Sequence, residues 1–276
     1  MRPIATRPRR GASIQLHFDS EGDGPLVVLL HGFPEFRISW KHQLPALARA
    51  GFRAVAPDLR GYGNSPKPRD VDSYRVLEVA GDVAELIASL TDKPCVLVGH
   101  DWGAVIAWAV AMTRPELLRK LVILNVPHPA AIVREIKRSN QQKVRLIYQL
   151  FFQLPVLPEL FLRLFGRRLL KKAARFTPEQ IDAYTKQWRG NLTPMFHYYR
   201  ATPRSRGEMR KAFRRIDTPT LIIWGEREPV FLPSTLEDQG EWVSNVRIER
   251  IPRAGHFVQT DAADRVSQLI IEFARA

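Results

Sequence analysis

The chain has 276 residues, 45% of them hydrophobic and 25% charged, a composition that excludes a disordered chain, a collagen-like repeat and a disulfide scaffold. A chain of this length buries about 75% of its unfolded surface in one or two domains, and its single cysteine, Cys95, can form no internal disulfide. The formal net charge of +14 raises the question of polyanion binding, but the excess lies between about Arg134 and Arg215 in scattered pairs such as Arg167-Arg168 and Lys171-Lys172, without an RNP, zinc-finger or helix-turn-helix signature, so no specific nucleic-acid partner is expected.

The first ten residues, MRPIATRPRR, are basic but lack the apolar core of a secretory signal. No apolar run reaches the ~18 residues of a spanning helix, so the expectation is a cytoplasmic protein without a transmembrane segment. Gly24-Pro25 closes a short N-terminal segment, after which LVVLL reads as a buried strand running directly into His31-Gly32-Phe33-Pro34. A helix over about 40–50 stops at Gly51, FRAVAPD gives a second strand, and 59–68 is a loop rich in Gly and Pro. A helix over about 75–90 follows. Lys93-Pro94 then opens the strand CVLVG, HDWG forms a turn, and AVIAWAVAM continues as a helix apolar on nearly every side, which must therefore be buried.

The strand LVILN ends at Asn125, and there the strand–helix alternation breaks off for about 90 residues. In this stretch KVRLIYQLFFQL carries apolar residues at helical spacing, Pro155 and Pro158 interrupt, and Arg-rich helices run on to Phe213. TLIIWG restores the strand pattern, VRIERIP is the last strand, and DRVSQLIIEFARA closes the chain as an amphipathic helix. The fold class is α/β: one open, mostly parallel sheet flanked by helices. Residues 1–127 and 216–276 make the core domain, and the helical insertion 128–215 forms a cap over the carboxyl ends of the strands, where ligands bind in such sheets.

Chemistry concentrates at the strand ends. GHDWG at 99–103 has the form of a strand-to-helix elbow that thrusts Asp101 out at its tip, its glycines leaving room for the sharp turn. Such an elbow is served by backbone N–H groups from the residue after the tip, Trp102, and from the loop after an earlier strand, here at Phe33. Pro34 is a candidate for a cis bond in that loop. His256, in AGHF, is the one histidine that follows the last strand on a short Gly loop. Its acid partner should follow LIIWG, where Glu226, Glu228, Glu237 and Asp238 are available; Glu228 is the choice, giving the chain order nucleophile, acid, histidine.

At these residues the chain resembles the α/β-hydrolase-fold epoxide hydrolases, and the likeness runs from about Val27 to Phe273. HGFPEFRISWKHQLPALARAGFRAVAPDLRGYGNS, GHDWGAVIAW, YQLFFQ, HYYR, WGEREPVF and AGHFVQ look like that family's signatures in that family's order. The resemblance implies Asp101 as nucleophile, His256 as the base that activates water, and Phe33 and Trp102 as the oxyanion-hole positions. It also implies Tyr148 and Tyr199 as the paired tyrosines of the cap. The acid is most often Asp in the family, and Glu228 stands at that position here. His31, Pro34, Phe151 and Phe152 are expected to line the substrate pocket.

The nucleophile type restricts the chemistry. A serine attacking saturated carbon would leave a stable ether, whereas an aspartate leaves an ester that water can hydrolyse. The expected reaction is conversion of a hydrophobic epoxide and water to a vicinal diol, with no cofactor and no metal. A haloalkane dehalogenase would share the Asp elbow, but Phe33 stands where many dehalogenases resemble one another in having Asn, and a departing halide has no use for two tyrosines. A third reading is a non-catalytic hydrolase-fold protein that binds hydrophobic ligands or anionic membrane surfaces through its basic cap.

Overall fold

Successive side chains of a strand point to opposite faces of its sheet, and in LVVLL, CVLVGH and TLIIWG every residue is buried, so these strands must be covered on both sides. The computed structural model describes residues 15–276; the basic N-terminal stretch lies outside the described residues. Its strands are β1 (Phe18–Glu21), β2 (Leu26–Leu30), β3 (Arg53–Pro57), β4 (Cys95–His100), β5 (Leu118–Leu124), β6 (Thr220–Gly225) and β7 (Val246–Ile251). They form one sheet in the order β1-β3-β2-β4-β5-β6-β7. All neighbours are parallel except β1, which runs antiparallel to β3 with Phe18 opposite Pro57.

Strand β1 has no counterpart among the expected elements. Its sequence, FDSE, is polar and mostly exposed, as an edge strand allows, and so carries no apolar alternation to read. On one face of the sheet Val27, Leu29, Val96, Val98, Leu221 and Ile223 pack beneath α1 (Gln43–Arg49) and α11 (Ala263–Arg275). On the other, Val28, Leu30, Leu97, Leu121 and Ile123 pack against α2 (Val76–Leu90) and α3 (Trp102–Thr113). The helix expected over 40–50 divides into a 3₁₀ turn at Arg37–Trp40 and α1. Pro45 lacks an N–H and is tolerated only in a first turn, so the α-helix cannot begin much earlier.

Between β5 and β6 the chain is helical: α4 (Pro129–Arg138), α5 (Asn140–Arg145), α6 (Tyr148–Phe151), α7 (Leu157–Ala173), α8 (Pro178–Trp188) and α9 (Leu192–Ala212). KVRLIYQLFFQL is therefore two short helices and a turn rather than one helix. This insertion is fastened to loops at the carboxyl ends of β2 and β3. Trp188 Nε1 donates to the Pro34 carbonyl at 2.9 Å, the Tyr198 hydroxyl to the Arg60 carbonyl at 2.7 Å, and the Tyr184 hydroxyl to Glu35 at 3.3 Å. Last in the chain order, α10 (Val258–Asp261) leads into α11. Among the described residues no helix is long and apolar enough to cross a membrane.

Candidate active site

Asp101 sits between the end of β4 and the first residue of α3 with φ 49° and ψ −119°, a conformation costly for a non-glycine residue and retained only where its surroundings enforce it. The enforcement is close packing. A Cβ on Gly103 would lie 2.2 Å from the Leu30 carbonyl oxygen, and one on Gly32 would lie 2.3 Å from the Asp101 Cβ. Neither position admits a side chain, so the β2 loop and the elbow come together at van der Waals distance.

Two groups meet the Asp101 carboxylate. The Phe33 N–H donates to its Oδ1 at 2.7 Å, and His256 Nε2 lies 3.4 Å from Oδ2. His256 Nδ1 in turn meets Glu228 Oε2 at 2.7 Å. Of the four carboxylates offered by the sequence after β6, only Glu228 is buried; Glu226, Glu237 and Asp238 are exposed. Burial works against charge on both Asp101 and His256, but each is the other's counterion. Hydrogen bonding and attraction from His256 hold the Asp101 carboxyl below its ordinary value, and Glu228 followed by Asp101 holds the His256 imidazole well above 6.5. His256 thus lies between two carboxyl groups that both favour its protonated form.

Glu228 is itself positioned by Asn125. The amide Nδ2 of Asn125 donates to Glu228 Oε2 at 2.6 Å and to the Gly255 carbonyl at 2.8 Å, while its Oδ1 accepts the Gly225 N–H at 2.8 Å. The Val230 N–H donates to Glu228 Oε1 at 2.6 Å. Beneath the elbow, His100 Nε2 donates to the His256 carbonyl at 2.8 Å and Nδ1 contacts Glu35 Oε2 at 3.0 Å, with Gln259 Nε2 donating to the same carboxylate oxygen at 3.1 Å. Asn125, His100, Glu35 and Gln259 were not among the residues expected from sequence. His100, Glu35 and Gln259 stand inside the GHDWGAVIAW, HGFPEF and AGHFVQ stretches without a role assigned, and Asn125 stood out as a polar residue closing an apolar strand.

Tyr199 on α9 and Tyr148 on α6 face one another with ring centroids 6.3 Å apart, and Tyr199 stands edge-on to Phe33 at 5.2 Å and to Trp102 at 5.1 Å. Burial, together with the neighbouring phenol for Tyr199 and the Asp101 charge for both, raises each phenol's pKa, so both hydroxyls keep their protons at neutral pH. Tyr198 and Tyr184, the nearby alternatives, spend their hydroxyls on Arg60 and Glu35. Phe152 packs on Phe33 at 5.7 Å and Tyr199 at 4.8 Å. Phe151 instead turns toward Phe161 at 5.8 Å. Pro34 follows a cis peptide bond from Phe33 and offers its carbonyl to Trp188. His31 is placed differently from the pocket position expected: it is fully buried, with Nδ1 on the Gly32 carbonyl and Nε2 accepting the Leu59 N–H, both at 3.0 Å, and so supports the loop from beneath. Among the described residues no group of three or more His, Cys, Asp or Glu side chains is placed to hold a metal ion.

The two tyrosine segments are tied by an uncommon bond. Pro203 lies inside α9 and has no N–H for the carbonyl four residues earlier, that of Tyr199. Gln153 Nε2, from the turn after α6, donates to that carbonyl at 2.9 Å. We expect Gln153→Leu to slow turnover about tenfold by loosening one tyrosine from the other, an unmet buried carbonyl costing roughly 1–3 kcal/mol. In a Pro203→Ala background the helix supplies its own donor, and the same substitution should then cost little; a double-mutant cycle on kcat reads the difference.

The chain matches the model of the α/β hydrolase fold over residues 25–263. It is 36% identical to the AB hydrolase superfamily protein YfhM of Bacillus subtilis over 95% of each chain, and 33% identical to Epoxide hydrolase 4 of Mus musculus, over 96% of this chain and 78% of that one. Among solved structures, a variant epoxide hydrolase from Bacillus megaterium, complexed with its naphthyloxy-propanediol product, superposes with TM-score 0.87 at 31% identity, covering 95% of this chain and 98% of that one. The chain belongs to the epoxide hydrolase family of α/β hydrolases. In this member of the family Glu228 is the buried carboxylate beside His256, and its longer side chain is accommodated by the backbone N–H of Val230 and the amide of Asn125.

Proposed function

We propose that the protein hydrolyses hydrophobic epoxides to vicinal diols through a covalent ester on Asp101. The observation that carries this reading is a carboxylate, not a hydroxyl, at the tip of the elbow, with one oxygen held by the Phe33 N–H, the other beside His256, and the protonated phenols of Tyr148 and Tyr199 close enough to feel its charge. In the first step Oδ2 attacks an epoxide carbon, the ring C–O bond breaks, Tyr148 or Tyr199 gives its proton to the departing oxygen, and the His256 imidazolium then gives its proton to the phenolate left behind, becoming a neutral imidazole. In the second, water loses a proton to His256 and adds to the ester carbon, placing negative charge on Oδ1, where the Phe33 N–H, with that of Trp102, stabilises it. The bond from the ester carbon to Oδ2 then breaks, the proton of the added hydroxyl passes to Oδ2, which leaves with the diol, and the site returns to an ionised Asp101 beside a protonated His256. The helical insertion acts as a cap, and Phe33, Trp102 and Phe152 suit epoxides bearing an aryl group. Diol formation from a panel of aryl and alkyl epoxides, without halide release from a bromoalkane, is the expected result; halide release without diol would make the protein a dehalogenase.

The paired carboxylates explain how one histidine serves both steps. In the resting site Glu228 and Asp101 keep His256 protonated, which suits an electrostatic partner for the nucleophile. Formation of the ester removes the Asp101 charge, and the imidazole pKa falls toward the range in which it can accept a proton. Hydrolysis of the ester should therefore rise with pH along a limb that reports His256 in the ester. Glu228→Gln removes the first of the two charges that raise this group, so the limb should move to lower pH while the maximal hydrolysis rate falls about a hundredfold and ester formation changes much less. Single-turnover stopped-flow across pH separates the two steps; if Glu228→Gln matches the parent while Glu226→Gln does not, the acid has been misassigned.

A further inference from the structure

All of the strongly exposed large apolar side chains among the described residues lie between Val133 and Leu169, within the helical insertion. Their centre is α7. Leu162, Gly166 and Leu170 turn inward at four-residue spacing, leaving Leu157, Leu160, Leu164 and Phe165 on the outer face, with Leu164 66% exposed. At the N-terminal end of α7 Val156 is 69% exposed and held at φ 68°, an unfavourable conformation for a β-branched residue. Nothing about water alone rewards this arrangement.

Charge is distributed on the same face with one sign. Arg163, Arg167 and Lys171 follow at four-residue spacing, and Arg168 and Lys172 lie beside them. The one acidic residue of α7, Glu159, is buried and paired with Arg200 at 2.9 Å. Arg167 is paired with Asp182 of α8, and beside that pair Arg163, Arg167 and Arg189 line a cleft with Trp188 and Thr185. Apolar crests set among cations are the pattern of a surface that enters the headgroup–acyl boundary of an anionic bilayer, the side chains of Leu and Phe going inward and the cations meeting phosphates. A nucleic acid would leave the leucines unserved. A second copy of the chain, itself carrying +14, would set cation against cation.

We propose that the outer face of α7 and the turn before it form a docking surface for anionic lipid bilayers. The surface is continuous with the candidate site through ring contacts from Phe165 to Phe161 (5.3 Å), Phe161 to Phe151 (5.8 Å), Phe151 to Phe152 (6.0 Å) and Phe152 to Tyr199 (4.8 Å). Delivery of membrane-dissolved epoxides to that site rests on the proposed function; docking itself does not. The test is co-sedimentation with vesicles, which involves no turnover. The protein should pellet with phosphatidylcholine vesicles containing phosphatidylglycerol, remain in solution with phosphatidylcholine alone, and be released by salt. Leu160→Asn with Leu164→Asn, and separately Lys171→Gln with Lys172→Gln, should each weaken binding, the lysine pair by about fivefold for each charge removed, with circular dichroism unchanged. Absence of binding to the mixed vesicles, or binding undiminished in both variants, overturns the proposal. So does a dimer seen by light scattering without lipid that Leu164→Asn dissociates, since the occupant would then be a second copy.

Discussion

With His256→Gln, a covalent adduct should accumulate. Mixed with an epoxide, this variant should gain the mass of one substrate molecule, and the adduct should map by peptide mass spectrometry to Asp101. The physical reason is the division of labour in the site. The attacking Oδ2 needs only to be ionised and aimed, and the Phe33 N–H on Oδ1 at 2.7 Å does the aiming. Water attack on the ester needs a base, and the only imidazole in contact with the Asp101 carboxylate among the described residues is His256. Glutamine has the bulk but cannot take the proton, so hydrolysis should slow by about 10²–10⁴-fold, the range spanned by general-base catalysis. In the parent enzyme the same path predicts an isotope signature. A single turnover with excess enzyme in heavy-oxygen water should yield a first diol free of solvent oxygen and an Asp101 peptide that has acquired it. Solvent oxygen in the first diol, with no adduct trapped, would show that water attacks the epoxide directly and that Asp101 is a general base.

The second large effect belongs to the tyrosines. An alkoxide leaving without a proton is a poor leaving group at neutral pH, and Tyr148 and Tyr199 are phenols that feel the Asp101 charge and face one another with ring centroids 6.3 Å apart. Either can donate. Single changes to Phe should leave measurable alkylation, because the remaining phenol holds and protonates the oxygen. Tyr148→Phe with Tyr199→Phe should lower the alkylation rate by about 10²–10⁴-fold, far more than the product of the single losses, since the first loss is masked by the partner. Intrinsic tryptophan fluorescence, to which Trp102, 5.1 Å from the Tyr199 ring, contributes alongside the five other tryptophans, gives a stopped-flow reading of that step. Unchanged alkylation in the double variant would remove both tyrosines from the chemistry.

Much of this architecture is determined by the sequence through local rules. Strands such as LVVLL and CVLVG are recognisable because continuous apolar runs next to Gly and Pro have few other uses, and AVIAWAVAM had to be buried because it has no polar face. Asp101 and His256 are legible for a similar reason: a sharp strand-to-helix turn and a short loop after the last strand each leave a trace in glycines. The α/β class and the helical stretch between Asn125 and Pro219 follow from the order of these patterns.

Other features depended on contacts between segments remote in sequence. FDSE became a strand only because β3 offered a free edge, and KVRLIYQLFFQL broke into α5, α6 and a turn as its aromatic side chains packed against Phe33 and Tyr199. His31 could be named as a pocket residue from its motif, yet its two ring nitrogens are claimed by Gly32 and by Leu59, 28 positions away. Asn125 reaches Glu228 across 103 positions, and His100 reaches the His256 carbonyl across 156. Periodicity and turn chemistry act over a few residues and so are written in local sequence, whereas the partner of a buried polar group is set by which loops the sheet order brings together at the carboxyl ends of its strands. That order, β2 beside β4 and β5 beside β6, is what turned an aspartate, a glutamate and a histidine up to 155 positions apart into one hydrogen-bonded chain.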